Sequence, residues 1–124
     1  ILFDQRGAGK STPSAELDVR AGGESKITMR SPDGQDFPNS GLYLDVVKNE
    51  RIVFTDAFHA GYRPAGKPFF VAEILLADAG PGKTRYIARA MHWNAEDCDQ
   101  HANMGFVEGW TKCARQLEEV ANTL

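Results

Sequence analysis

Between residues 14 and 92, apolar and polar residues alternate in short runs, each closed by a turn signal. Ala15, Leu17 and Val19 alternate with Glu16, Asp18 and Arg20, and Ala21-Gly22-Gly23 then reads as a turn. Ile27 and Met29 alternate with Lys26, Thr28 and Arg30 before the hairpin signal Ser31-Pro32-Asp33-Gly34. Leu42, Leu44 and Val46 mark one face of a further strand, which Lys48-Asn49-Glu50 turns into a strand over residues 51–57. Residues 69–76 and 84–93 are two more strands, joined by the Gly- and Pro-rich stretch 78–83. A period of two with tight turns predicts an antiparallel meander, and the connections leave no room for the helical crossovers of a parallel sheet. Residues 58–68, with Gly61, Pro64, Gly66 and Pro68, read as the longest loop and carry the aromatics Phe58 and Tyr62.

In the last third the period changes. Asn94 is a good N-cap, with Glu96 and Asp97 placed favourably in the first turn of a short helix that Gly105 breaks or bends. Beyond it Phe106, Trp110, Cys113, Ala114, Leu117, Ala121 and Leu124 recur at spacings of three, four and seven. They form one helical stripe, opposite Glu108, Lys112, Arg115, Glu119 and Asn122. So aromatic a stripe needs an apolar support, which the concave face of a curved sheet supplies. The predicted fold class is α+β, a curved antiparallel sheet of about six strands around a long C-terminal helix.

The 124 residues suit one domain, and 42% hydrophobic with 25% charged residues is ordinary for a globular chain. The net charge of -3 and the scattered Lys and Arg argue against a nucleic-acid surface. No apolar run has the length of a membrane span and no signal segment opens the chain, so the expected location is cytoplasmic. Two cysteines, Cys98 and Cys113, do not make a disulfide framework, and reduced thiols are the default expectation.

The stretch Gly7-Ala8-Gly9-Lys10-Ser11-Thr12 has the look of a phosphate-binding loop. Such a loop needs a glycine where Asp4 stands, and a helix starting at Lys10-Ser11, whereas the following residues alternate as a strand. A nucleotide site is therefore not expected. The segment from Leu2 to Pro13 resembles a strand-and-turn piece of proline iminopeptidases, of the α/β-hydrolase family, up to about residue 17. No Gly-x-Ser-x-Gly nucleophile motif follows anywhere in the chain, so hydrolase chemistry has no nucleophile.

From about Ser14 to Leu124 a different resemblance holds. Glu16-Leu-Asp-Val-Arg-Ala-Gly-Gly23, Met29-Arg-Ser-Pro-Asp-Gly34, Gly41-Leu-Tyr-Leu44, Arg51-Ile-Val-Phe-Thr-Asp56, Thr84-Arg-Tyr86, His92-Trp93 and Met104-Gly-Phe-x-Glu-Gly-Trp110 closely resemble one family. It is the activator of heat-shock-protein-90 ATPase homologue-like domain, in the START-like, or SRPBCC, superfamily. The resemblance implies a helix-grip fold with an apolar cavity between sheet and C-terminal helix. Family members normally begin with a strand and two short helices, whereas residues 1–13 here form an atypical N-terminal segment before a START-like domain over 14–124. The departure leaves one cavity wall and one sheet edge open, and implies a homodimer in which Ile1–Phe3 supplies a replacement strand.

The residues expected to line the cavity are Met29, Tyr43, Phe54, Tyr62, Phe70, His92, Trp93, Phe106 and Trp110. An aromatic lining with a few polar groups suits a small apolar ligand, though Phe106 and Trp110 serve equally as plain core. Cys98-x-x-His101 sits at helical spacing as half a metal site that only His92 or Cys113 would complete, and an exposed Asp97–His101 pair explains it more simply. His59 has no visible partner, and no acid–base constellation stands out. The expected role is a binding module without a cofactor, taking an unidentified small apolar ligand and neither nucleic acid nor membrane. The family name offers a chaperone partner as the second reading. A cyclase- or aromatase-like enzyme is the third, with a buried His92 as its acid–base group.

Overall fold

In the computed structural model, the backbone of residues 11–124 and the side chains of residues 14–124 are described. Eight strands and two helices follow in order: β1 (Ser11–Leu17), β2 (Glu24–Arg30), β3 (Asp36–Val47), β4 (Arg51–Thr55), β5 (Phe58–His59), β6 (Arg63–Pro64), β7 (Phe70–Asp78), β8 (Thr84–His92), α1 (Ala95–Asn103) and α2 (Phe106–Ala121). Six strands form one antiparallel sheet in the order β1-β2-β3-β4-β7-β8, and β5-β6 form a small second ladder. The α+β meander with two C-terminal helices is the architecture the alternation predicts. Because β1 already runs from Ser11, no helix starts where a phosphate loop needs one. The proposed replacement strand Ile1–Phe3 lies outside the described residues.

The turns obey their sequences. Gly34 closes the β2–β3 hairpin at φ 90, its amide donating to the Ser31 carbonyl at 2.9 Å. Between β1 and β2 the chain doubles back so tightly that a Cβ on Gly23 would lie 1.9 Å from the Asp18 carbonyl oxygen. Only glycine fits there, and its backbone joins the turn to β3 by accepting from the Tyr43 amide at 2.9 Å.

Three expectations are corrected. β1 ends at Leu17, so Val19 belongs to the turn and is 42% exposed. β3 begins at Asp36 rather than near Leu42, because the Asp33-Gly34 turn lets Asp36–Ser40 pair with β2 despite their polar pattern. Leu42, Leu44 and Val46 do not share a face: an irregularity between Tyr43 and Asp45 shifts the ladder, so Leu42 pairs with Thr55 while Val46 pairs with Ile52 on the opposite side. The loop over residues 58–68 also contains the β5–β6 ladder, where Phe58 meets Pro64.

Register sorts the side chains into two faces. Pairings of Ile52 with Ile74, Phe54 with Ala72, Ile74 with Ala88 and Leu76 with Tyr86 place an apolar set on the concave side. The convex side carries charge, with Glu73 between Arg51 and Arg89 at 3.5 and 3.0 Å. These partly exposed pairs contribute modestly to stability. Leu42 and Thr55 are the largest fully buried side chains. The Thr55 hydroxyl donates to the Phe70 carbonyl at 2.7 Å and accepts from the Ala57 amide at 3.1 Å, so its burial is compensated.

The helices begin as their sequences require. Asn94 caps α1, its side chain accepting from the Asp97 amide at 2.7 Å. Gly105, at φ 86, makes the corner into α2. The α2 stripe is half-buried from Phe106 to Leu117, but Ala121 is exposed and Leu124 is fully so. No described helix is long and apolar enough to cross a membrane.

Candidate functional site: the trough under the C-terminal helix

β7 and β8 present successive cross-strand rows on the concave side, Leu76/Tyr86, Ile74/Ala88, Ala72/Ala90 and Phe70/His92. Alanines in the middle rows leave room that larger side chains would fill. The helix α2 spans this room without closing it, and none of its residues is fully buried. The result is a cavity of about 980 Å³, floored by Leu76, Tyr86 and Ala88 and roofed by Phe106, Trp110 and Leu117. A hollow of about 510 Å³ adjoins it at Leu76, and a third of about 40 Å³ shares Ile52 and Ile74 with that hollow and reaches Tyr43 and Phe54. Leu76 links the first two, and Ile52 and Ile74 the last two, into a trough along the sheet whose middle stretch also meets Arg20, Lys48, Glu50 and Arg51.

The expected lining residues separate accordingly. Phe106 and Trp110 line the main cavity. Tyr43 and Phe54 line the smallest hollow, edge to face at 6.3 Å. Burial raises the Tyr43 phenol above its ordinary value, against an opposing hydrogen bond from Ser25. Phe70 and His92 form the last row, and Met29 is half-buried on the same side of β2. Tyr62 and Trp93 stand apart, 54% and 56% exposed, with Tyr62 against Phe58 in the β5–β6 segment.

Beside the cavity lies a cluster that the sequence only half disclosed. His92 Nε2 and His101 Nδ1 are 2.8 Å apart, one ring donating and the other accepting. His101 is not the exposed partner of Asp97: α1 turns it inward, where its ring meets Phe69 at 5.0 Å and Phe106 at 4.7 Å. Phe106 in turn meets Trp110 at 5.7 Å, linking the histidines to the cavity wall. Asp56 holds the floor of the cluster, accepting from the Phe69 and Phe70 amides at 2.9 and 3.2 Å. The signal for His101 was its place one turn from the end of a helix capped at Asn94, but only the docking of α1 on β8 reveals its partner. His92, paired with Phe70 across β7–β8, does not line the main cavity. Among the described residues no three His, Cys, Asp or Glu side chains converge as a metal site, and neither Cys98 nor Cys113 is in a disulfide.

Burial, and secondarily the His92 charge, lower the His101 pKa, with Asp56 opposing. The folded protein thus keeps His101 neutral at pH values where the unfolded chain, titrating near about 6.5, takes up a proton. Stability is therefore full above that value and is lost as pH falls below it. Melting temperatures between pH 8 and 5 are expected to decline in the acid half of the range, and His101→Phe is expected to flatten that decline. An equally steep decline in the variant would assign it to other groups.

The family described as Activator of Hsp90 ATPase homolog 1-like protein matches residues 10–122. The chain belongs to this family. Among solved structures, protein NE0264 from Nitrosomonas europaea superposes with a TM-score of 0.86 at 38% identity, covering 92% of this chain and 73% of that one. Protein Ms6760 from Mycobacterium smegmatis has a TM-score of 0.71 at 20% identity, over 98% of this chain and 79% of its own. Protein SA2116 of unknown function from Staphylococcus aureus has a TM-score of 0.63 at 20% identity, over 90% and 72%. The last two show the fold alone. Among curated proteins none matches. Family membership and the antiparallel sheet with its C-terminal helices together establish an α+β, helix-grip-like fold of the START-like kind.

Proposed function

We propose that this member of the family is a non-enzymatic binding module for a small apolar ligand held in the trough between β7–β8 and α2. The observation that carries the reading is the cavity of about 980 Å³, at the upper end of the size range of small-molecule sites and walled mostly by Leu, Ala, Phe, Tyr and Trp. A second copy of the chain is the proposed protein partner. β8 pairs with β7 alone among the described residues, and an open sheet edge is normally covered. Exposed Met104 and Val107 lie at the α1–α2 corner, beside the cavity roof.

The neutral probe N-phenyl-1-naphthylamine is expected to bind saturably, one per chain, at micromolar concentration, with a large rise in its emission. Weak, non-saturating emission would contradict the reading. Light scattering at decreasing concentration is expected to show a dimer, and a well-folded monomer throughout would refute self-association.

A further inference from the structure

We propose that the trough's guest is an amphiphile with one apolar chain and a carboxylate head, the head held between Lys83 and Arg115. This rests on the apolar-ligand reading and narrows it. Three charged residues line the main cavity: Lys83 on the β7–β8 turn, and Arg115 and Glu118 on α2. Two cations against one anion leave an excess positive charge, in a protein whose overall charge is -3. Neither Lys83 nor Arg115 has a carboxylate partner among the described residues, although Asp18, Glu24, Asp36, Asp45 and Glu73 all have cationic ones.

Position adds to charge. Lys83 stands at the turn that ends the sheet. The floor then runs inward from Lys83 through the row Leu76/Tyr86 to Ala88. Cations and an apolar floor lining one cavity match a headgroup joined to a chain. Arg115 presents a planar fork suited to two carboxylate oxygens, and Lys83 adds a point charge. Tyr86, on the same floor, has its phenol pKa raised by burial and remains a neutral donor for the head. Glu118, one helical turn beyond Arg115, repels an anion and sets a limit on the preference.

The test is competition against N-phenyl-1-naphthylamine at pH 8 by three twelve-carbon compounds: dodecanoate, 1-dodecanol and dodecyltrimethylammonium. Dodecanoate is expected to bind about tenfold tighter than the alcohol, the scale of a charge-assisted pair, and the cation weakest. In the double variant Lys83→Gln/Arg115→Gln the ratio of carboxylate to alcohol affinity is expected to fall to about one, and in Glu118→Gln to rise. The wild-type ratio should also shrink with added salt. Equal affinities for carboxylate and alcohol, a preference for the cation, or a ratio unchanged in the double variant would overturn the inference while leaving the apolar-ligand reading standing. Failure of all three compounds and of the probe to bind would overturn both.

Discussion

Replacing Ala88 and Ala114 together by tryptophan is expected to weaken probe binding at least a hundredfold, about 2.7 kcal/mol, without unfolding the protein. Ala88 sits on the concave floor of β8 and Ala114 on the facing side of α2, and both line the main cavity. A tryptophan at each position puts an indole from floor and from roof into space a guest would occupy. Filling a pre-existing cavity differs from overpacking a filled core, because no neighbour needs to shift. Denaturant midpoints equal to or above wild type are therefore expected beside the lost binding. Retained affinity in a folded double variant would mean that the probe binds elsewhere.

The second large effect concerns the opposite face. Leu42→Ala is expected to destabilise the protein by about 2–5 kcal/mol, a large part of a typical domain's stability of roughly 5–15 kcal/mol. Leu42 is 0% exposed, beside buried Thr55 across the β3–β4 ladder, so truncation leaves a cavity that the flanking strands restrict from collapsing. Urea unfolding followed by far-ultraviolet dichroism measures the loss. A change below about 1 kcal/mol would show that the site relaxes around the smaller side chain. Probe affinity at low denaturant is expected to change little, because Leu42 faces away from the trough.

The contrast between these substitutions separates what the sequence discloses from what it withholds. Alternation of Ile27 and Met29 with Lys26, Thr28 and Arg30 makes the concave face of β2 readable, whereas the apolar runs Ile52-Val53-Phe54 in β4 and Ile74-Leu75-Leu76 in β7 mark strands without marking their faces. Asn94 and Gly105 mark the helix boundaries by local chemistry, a cap and a left-handed corner, and so are legible too. In β3 local reasoning fails. The irregularity after Tyr43 exchanges the faces of the residues beyond it, and no residue type there announces the shift. Likewise Asp36–Ser40 become strand through pairing with β2 rather than through their own pattern.

The candidate site divides in the same way. Phe106 and Trp110 stand out as bulky residues on a helical stripe, and the structure places both on the cavity wall. Tyr62 and Trp93 are equally conspicuous in sequence, but they belong to a loop and to the residue after a strand end, where alternation no longer determines direction. Ala88 and Lys83 are inconspicuous in sequence, and Ala114 and Arg115, read there on opposite sides of α2, line one cavity in the structure. The volume they share is a property of the assembled fold and not of any single segment. His101 is an intermediate case, carried by a predictable helix to an unpredictable partner.

The most direct measurement uses the two tryptophans as reporters. In a Trp93→Phe variant, Trp110 is the one remaining indole. Titrating that variant with N-phenyl-1-naphthylamine is predicted to quench Trp110 emission by energy transfer, saturating with the same dissociation constant as the rise in probe emission. Bright, saturable probe emission with no change at Trp110 would contradict a ligand site beneath α2.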